Sequence, residues 1–382
     1  MSTETLAAPT FATLAPPKRL LFGPGPTQVH PRVYEVLSKQ IVGHLDPYFF
    51  EVLKEVQTLL RMVFGTENKF TIAISGTGTS GMETAVSNFV EPGTKVALFA
   101  AGYFADRIGE MAKRQGGNVV RLEKPWGEVA NDADATEFIR REKPDVVAYV
   151  QAETSTGAFQ QGKAICAVAH EVGAVVIADC VTSLGAMPVN VDETGIDIAY
   201  SCSQKGLSCP PGLAPITLSP RAVERLKARK TTNGSFYLDL KLLEEYYEGR
   251  KYHHTASATM WYGLREALVL IAEEGLQDRL ERHRRAHVNV VKGFEQMGLR
   301  MHVAPEHRIW NLLTPRVPEG VNDGNVKTRL LKEHGIEIMG GFGQLAGKVF
   351  RIGVMGPLAT DDNVQMFLRC FREALQAEGY KG

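Results

Sequence analysis

Short apolar runs alternate with amphipathic helix patterns from residue 70 to about residue 218. The runs predict strands at 70–75, 95–100, 118–122, 145–150, 174–179 and 196–202. Several are apolar throughout, such as VVAYV and AVVIA, which is typical of parallel strands covered on both faces. A helix pattern is clear over 80–91, where Pro92-Gly93 ends it. The alternation predicts an α/β fold with a doubly wound, mostly parallel sheet.

The pattern changes after about residue 260. A long, highly charged helical region spans about 262–298, and apolar runs at 299–303, 309–314 and 348–354 precede a final helix at 361–377. This mixture predicts a smaller C-terminal α+β domain. We therefore expect a loose N-terminal arm (1–20), a large domain (21–274) and a small domain (275–382), which a chain of 382 residues is long enough to form.

Composition and charge exclude several classes of partner. Lys plus Arg and Asp plus Glu both total 43, so nothing favours nucleic acid or an anionic membrane surface. Five cysteines without C-x-x-C spacing, and neither a transmembrane-length apolar run nor a signal peptide, predict a cytoplasmic protein. His283 and His287 share a helix face, but the arginines around them favour a solvated basic face, so no metal site is predicted.

A glycine-rich turn, Gly76-x-Gly78-x-x-Gly81, joins the first predicted strand of the sheet to its helix. This is the spacing of a dinucleotide-binding turn, but the next strand, KVALFAAGYF, carries no acid at its end to bind a ribose. The helix N-terminus still offers free N–H groups to any phosphate. A phosphate cradle is therefore one interpretation, and a tight turn without a ligand is the other.

An acid and a lysine follow two of the later strands. Asp179 ends the run AVVIAD, and Lys205 lies in a loop rich in Ser, Gly and Pro after the run that begins at 196. The carboxyl ends of parallel strands are where such folds bind ligands, and burial there makes a lysine nucleophilic. With a phosphate cradle they suggest pyridoxal phosphate, the lysine as covalent anchor and the acid on the pyridine nitrogen. Taken singly, Asp179 could be a helix N-cap and Lys205 a solvated loop residue.

Beyond these residues, the chain resembles the class V aminotransferases of the alanine–glyoxylate and serine–glyoxylate (serine–pyruvate) group. The matching stretches are LLFGPGPTQVHP, VGHLDP, ISGTGTSGME, ETSTGAFQ, ADCVTSLGA, YSCSQKGLSCPPG, YHHTASATMWYGLREAL and GIEIMGGFGQLAGKVFRIGVMG. They occur in the same order as in the family and cover nearly the whole sequence after residue 20. The resemblance implies a fold-type-I pyridoxal-phosphate transferase with a large sheet domain and a smaller C-terminal domain.

The resemblance also implies a role for each residue that matches a motif of the family. Lys205 would bind the cofactor covalently and then move the proton between Cα and the cofactor's C4′, while Asp179 would pair with the pyridinium nitrogen. Thr154 would lie near the ring hydroxyl, and Phe104 would stack on the ring. The remaining cofactor-binding residues that it implies are Thr77, Gly78 and Thr79 at the phosphate, with Val181 and Gln204 close by.

Further residues implied by the resemblance concern the substrate and a second subunit. Tyr252 and Thr255, in YHHT, would reach the phosphate from the neighbouring subunit, so a homodimer with shared active sites is expected. Arg351 would clamp the substrate carboxylate, and the backbone around Gly25 would line the substrate pocket. The residue type agrees, because an arginine in the apolar run KVFRIGV needs an anion; a structural ion pair is the alternative.

We therefore expect transamination in which alanine or serine gives its amino group to the cofactor and a 2-oxo acid takes it from pyridoxamine phosphate in a ping-pong cycle. Glyoxylate is the first candidate for the acceptor and pyruvate the second. The alternatives are other pyridoxal-phosphate chemistry such as cysteine desulfuration, a nicotinamide dehydrogenase, and a non-catalytic phosphate-binding domain.

Three departures from the family bear on that expectation. Phe104 and Thr79 stand where animal members carry Trp and His, and a smaller ring offers less stacking area to the cofactor. Trp310 and Asn311, in RIWNLLT, replace Pro and Thr of many relatives. If that segment borders the active-site entrance, the range of donors or acceptors is altered.

Overall fold

The computed structural model describes residues 11–249 and 251–382, so half of the predicted N-terminal arm, residues 1–10, lies outside the described residues. The described strands are β1 (Leu20–Leu21), β2 (Phe70–Gly76), β3 (Lys95–Ala100), β4 (Asn118–Glu123), β5 (Val146–Val150), β6 (Ala152–Glu153), β7 (Ala158–Phe159), β8 (Val175–Asp179), β9 (Ile198–Tyr200), β10 (Gly212–Leu218), β11 (Leu312–Leu313), β12 (Ile336–Glu337), β13 (Met339–Gly340) and β14 (Phe350–Gly353). The described α-helices are α1 (Pro31–Leu37), α2 (Pro47–Phe64), α3 (Gly78–Phe89), α4 (Tyr103–Arg114), α5 (Asp132–Glu142), α6 (Lys163–Glu171), α7 (Val191–Thr194), α8 (Pro220–Lys227), α9 (Leu240–Gly249), α10 (Ala258–Glu274), α11 (Leu276–Gln296), α12 (Asp323–His334) and α13 (Asp361–Ala377).

A seven-stranded sheet in the order β2–β10–β9–β8–β5–β3–β4 carries the site. All neighbouring strands are parallel except β10, which is antiparallel to both β2 and β9. The six predicted strands are all present, and the predicted fold class is confirmed. The sequence pattern did not identify β10, because Pro215 lies in its middle and cannot donate to the ladder. Its carbonyl still accepts the backbone N–H of Ser201 at 2.8 Å.

Successive residues of the buried strands face opposite helix layers. In β3, Val96 and Leu98 belong to the core that contains α3 and α4, whereas Ala97 and Phe99 belong to the core that contains α2, α5 and α10. Both faces are therefore covered, which explains why these strands are apolar throughout and do not alternate. The covered sheet leaves only its edges for ligands, and the parallel strands end together at one edge.

The C-terminal part packs around a core of its own. α11, α12, α13 and β14 contribute most of this third cluster, together with Phe22, and β1 pairs with β12. The expected helix at 361–377 is confirmed at Asp361–Ala377, with the Thr360 side chain accepting the N–H of Asn363. α10 ends at Glu274 and α11 begins at Leu276. The proposed domain boundaries stay a prediction.

The charged helical region expected over about 262–298 is confirmed, whereas the solvated face expected around His283 is wrong. The helical region 262–298 is two helices, because Gly275 (φ +85°) ends α10 in a backbone conformation that L side chains rarely adopt. Within the apolar run 299–303, Met301 forms an isolated bridge to Pro315. His283 is not on a solvated face: it is fully buried, with Nδ1 bonded to the Arg279 carbonyl at 2.8 Å and Nε2 accepting the Gly356 N–H at 3.0 Å.

None of the described helices has the length and apolar character needed to cross a bilayer. The five cysteines are all free and buried.

Candidate active site

A cavity of about 260 Å³ lies at the carboxyl edge of the parallel strands. The N-terminal turns of α3 and α4, the loop after β8 and the loop after β9 each contribute to its wall. The structure brings these predicted residues together around it: Thr77, Gly78, Thr79, Phe104, Thr154, Asp179, Val181, Gln204 and Lys205. They come from segments that are far apart in the sequence and meet because parallel strands end at the same edge.

Asp179, the last residue of β8, is held on both carboxylate oxygens. The Tyr200 hydroxyl donates to Oδ2 at 2.8 Å, and the Val181 N–H donates to Oδ1 at 2.9 Å. Burial raises the pKa of Asp179 to about 6, although both hydrogen bonds lower it. The N-cap interpretation is therefore replaced by that of a buried acid, fixed in place and open to the cavity. A cationic partner in the cavity would stabilise its ionised form.

Lys205 lies in a loop that is tied down on both sides. Its carbonyl accepts the Thr27 hydroxyl at 3.0 Å and the Ser208 N–H at 2.9 Å, and its Nζ donates to the Pro24 carbonyl. Burial lowers the pKa of the amine. The solvated-loop interpretation is therefore wrong: the lysine is buried, faces the cavity and is easier to deprotonate than a surface lysine.

The glycine-rich turn forms an open cradle. Thr77 is the N-cap of α3 but makes no side-chain cap hydrogen bond, so the first N–H groups of the helix, on Gly78 and Thr79, have no acceptor within it. In the cavity wall, the side-chain oxygen of Gln204 is buried and has no hydrogen-bond partner among the described residues. An oxyanion at this position would satisfy the helix N–H groups, and the amide of Gln204 can turn its NH₂ towards it. The residues present therefore fit a phosphate group here.

Phe104 is positioned by a buried acid that the sequence did not single out. One carboxylate oxygen of Glu153 accepts the N–H groups of Phe104 and Ala105 at 3.0 and 3.3 Å, in the first turn of α4. The other accepts the N–H and the hydroxyl of Ser155 at 3.0 and 2.5 Å. Burial raises the pKa of Glu153 to about 7, since desolvation outweighs these bonds. Glu153, on β6, thus caps the N-terminus of α4 and determines where the Phe104 ring lies.

Arg351, on β14, lies beside this cavity and does not line it. Its Nε donates to the Gly340 carbonyl at 2.8 Å, and its guanidinium lies 4.3 Å from the centre of the Phe342 ring. The edge of Phe342 in turn meets Phe104. Burial lowers the pKa of Arg351 to about 10. The alternative, a structural ion pair, is not formed with any described residue, so the terminal N–H groups are available to a carboxylate.

The family model for class V aminotransferases matches residues 19–367. The chain belongs to the class V aminotransferase family. An alanine–glyoxylate aminotransferase of Mus musculus is 37% identical over 98% of this chain and 90% of its own length. A (S)-ureidoglycine–glyoxylate transaminase of Bacillus subtilis is 37% identical over 93% of this chain and 90% of its own length. The crystal structure of an alanine–glyoxylate aminotransferase from Nostoc sp. superposes with a TM-score of 0.94 at 45% identity, covering 96% of this chain and 97% of that one.

These findings confirm the predicted family and make the protein an aminotransferase, an enzyme of a family that depends on pyridoxal phosphate. The nicotinamide alternative has no support, since β2 and β3 are not neighbours in the sheet, as a dinucleotide turn requires. A cysteine desulfurase from Thermococcus onnurineus has a TM-score of 0.74 at 15% identity, which shows the fold alone. Burial raises the pKa of Cys180, Cys202 and Cys209 in this aminotransferase, so none of the three is a reactive thiolate.

Four predicted residues of the aminotransferase lie outside the cavity wall. Tyr252 and Thr255 do not reach the cavity of their own chain, and Tyr252 is 59% exposed. Gly25 lies over Lys205, and Arg351 lies behind Phe342. Asn311 is buried and donates to the Thr182 carbonyl at 2.9 Å. The segment around Trp310 and Asn311 therefore contacts a residue of the cavity wall without lining the cavity itself.

No sequence pattern pointed directly to Tyr200, Glu153, Arg107 or Phe342. Tyr200 could have been found from strand register, because it is the parallel-strand partner of Asp179. Glu153 lies within the motif ETSTG, yet its bond to α4 joins segments whose proximity only the fold establishes.

Proposed function

We propose that this aminotransferase binds pyridoxal phosphate in the cavity of Asp179 and Lys205 and moves the amino group of alanine or serine to glyoxylate, with pyruvate as a second acceptor. The observation that carries the proposal is the convergence of a buried acid, a buried lysine and an open phosphate cradle on one cavity. The names of the relatives, alanine–glyoxylate aminotransferase and (S)-ureidoglycine–glyoxylate transaminase, support glyoxylate as the shared substrate.

When bound, pyridoxal phosphate supplies an electron sink that stabilises negative charge at the substrate Cα. Lys205, whose pKa is lowered by burial, would take up the proton that leaves the substrate Cα and carry it towards the cofactor's C4′. Asp179, held by Tyr200 and Val181, keeps a proton on the pyridine nitrogen. The fork of Arg351 binds the substrate carboxylate, and a single arginine suits small monocarboxylic acids.

We also propose a homodimer in which Tyr252 and Thr255 complete the partner's phosphate site. Large apolar side chains lie exposed on two neighbouring segments: Tyr34, Ile41, Leu45, Tyr48, Phe236, Tyr237 and Tyr252. The segments meet where the rings of His44 and Tyr252 lie 5.5 Å apart. An exposed apolar patch of this kind favours burial against a second copy. The free cysteines support a cytoplasmic location. The C-terminal core around α11, α12, α13 and β14, separate from the two cores on the faces of the sheet, supports a large and a small domain.

Purified protein should be yellow, and borohydride should fix the chromophore to Lys205. The Lys205→Ala variant should lose transamination between alanine and glyoxylate while keeping its fold, as judged by circular dichroism. A colourless protein that takes up no pyridoxal phosphate, a label on another residue, or full activity of the variant would contradict the proposal. A panel of amino acids against glyoxylate and pyruvate then identifies the substrate pair.

A further inference from the structure

Arg107, in the second turn of α4, lies in the wall of the cofactor cavity at its phosphate end. Its Nη1 donates to the hydroxyl of Thr79 at 3.1 Å, in the first turn of α3. Thr79 is one of the residues whose N–H forms the cradle, so this guanidinium stands directly beside the place where the phosphate fits. It comes from a different helix than the cradle itself.

The aromatic rings of α4 hold the guanidinium in that position. Its central carbon lies 5.0 Å from the centre of the Phe104 ring and 5.1 Å from the centre of the Tyr103 ring. Such cation–π contacts orient a guanidinium without using its N–H donors. Glu153 anchors the first turn of the same helix through the Phe104 N–H, so the side chain of Arg107 projects from a fixed helix.

Arg107 forms no ion pair with a described carboxylate, and its charge helps to lower the pKa of Asp179 in the same cavity. The two acids nearest to it on α4 have other partners: Asp106 is paired with Arg121 at 2.5 Å, and Glu110 with Arg114 at 2.9 Å. The one protein partner of its N–H groups among the described residues is the neutral hydroxyl of Thr79. An arginine at a cavity wall without an ion-pair partner is suited to an anionic ligand.

The cradle has no other free cation for a dianionic phosphate. Thr77, Gly78, Thr79 and Gln204 offer neutral donors, while the amine of Lys205 is directed to the Pro24 carbonyl and, in the proposed function, attaches to the cofactor's aldehyde carbon. Arg351 lies on the substrate side, behind Phe342. This leaves Arg107 as the group that can balance the phosphate charge.

We propose that Arg107 is a phosphate-binding residue of this aminotransferase, supplying the positive charge and one or two N–H donors to the cofactor's 5′-phosphate. The inference rests on the proposed function, because it requires pyridoxal phosphate in this cavity. Arg107 thereby distinguishes the phosphorylated cofactor from pyridoxal, which carries the same ring and aldehyde but no phosphate.

The test compares the two ligands on the full-length protein freed of cofactor. Pyridoxal phosphate and pyridoxal are each titrated while the absorbance of the lysine-bound chromophore is followed, for wild type, Arg107→Gln and Arg107→Lys. We expect Arg107→Gln to weaken the binding of pyridoxal phosphate by about 10- to 100-fold, the range for a lost charge-assisted hydrogen bond. The affinity for pyridoxal should change by less than about threefold. Arg107→Lys keeps the positive charge but loses the paired N–H donors of the guanidinium, so it should weaken the binding of pyridoxal phosphate by an intermediate factor.

Arg114→Gln is the matched control, since it removes an exposed arginine from the same helix, and both ligands should keep wild-type affinity. Equal weakening of both ligands by Arg107→Gln would overturn the inference, because it would mean that Arg107 only supports the Phe104 ring. An unchanged affinity for pyridoxal phosphate would overturn it as well. A wild-type protein that binds neither ligand would instead contradict the proposed function. If Arg107→Gln fails to fold, the ratio of the two affinities in Arg107→Lys decides.

Discussion

Gly25 leaves the space that the side chain of Lys205 occupies. A Cβ at this position would overlap the Nζ, Cδ and Cε atoms of the lysine, and its φ of +109° lies in a region that L side chains rarely adopt. The position of the lysine side chain therefore depends on residue 25, far from it in sequence, having no side chain. At the scale of single residues, the lowered pKa of Lys205 comes from its burial, and the room for its side chain comes from Gly25.

A Gly25→Ala substitution should displace the Lys205 amine and lower turnover by at least about 100-fold, since small displacements of a reacting group are costly. The unfolding free energy should fall by about 1 to 3 kcal/mol, from overpacking. Steady-state kinetics and urea unfolding measure the two effects. Gly23→Ala is the matched control in the same loop, because its Cβ would meet only ordinary contacts, the nearest at 3.7 Å from Met339. Wild-type turnover in Gly25→Ala would contradict this account of the loop.

At the scale of elements, the N-terminus of α4 depends on an acid from another segment. Gly102 precedes this helix and has no side chain to cap it, and a Cβ there would overlap Glu153. Glu153 replaces the missing cap and brings Phe104 and Arg107 to the cavity wall. Its ionisation is therefore linked to the position of the helix that carries the stacking ring.

The Glu153→Gln variant should reveal this ionisation in the cofactor-free protein. Burial raises the folded-state pKa of Glu153 from 4.5 to about 7, so the folded state binds the proton more tightly than the unfolded state. Its contribution to stability is present below about pH 4.5 and is lost as pH rises through about 7. The wild type should therefore lose about 2 to 3 kcal/mol of unfolding free energy relative to the variant between pH 4.5 and 8.

Urea unfolding of both proteins across that pH range measures the difference, and Glu110→Gln serves as the control because Glu110 is exposed on the same helix. A wild-type-to-variant difference that stays constant with pH would contradict a raised pKa for Glu153.

At the scale of the whole molecule, the site is incomplete within one chain under the proposed function. Tyr252 lies on the surface beside exposed apolar side chains, and neither it nor Thr255 reaches the cavity of its own chain. The buried Nδ1 of His254 and Nε2 of His44, close to Tyr252, have no partner among the described residues. A second copy packed on this surface would cover the patch and bring its Tyr252 to the phosphate.

Mixed dimers test this sharing directly. Lys205→Ala and Tyr252→Ala proteins should each have little activity at limiting pyridoxal phosphate, since each lacks a part of every site. After unfolding and refolding together, half of the sites in each mixed dimer would be intact, and about a quarter of wild-type activity should return. Mixing Lys205→Ala with the double variant Lys205→Ala/Tyr252→Ala is the control and should stay inactive. No recovery in the first mixture, or full activity of Tyr252→Ala alone, would contradict the shared site.

The sequence by itself determined the sheet, the family and most of the cavity. Continuous apolar runs mark strands buried on both faces, and the residues at their carboxyl ends converge because parallel strands end together, so Asp179 and Lys205 could be predicted to meet. These are local patterns combined with one general rule of topology.

Only the tertiary structure decided what depends on contacts between distant segments. β10 was hidden by Pro215, and the break at Gly275 was hidden by the charged pattern on both sides of it. No sequence pattern predicts that Glu153 caps α4, that His283 is buried or that Arg107 lies beside Thr79, because each depends on contacts that only the folded chain makes. Burial and long-range hydrogen bonds set these pKa values and orientations, and both arise only when the chain has folded.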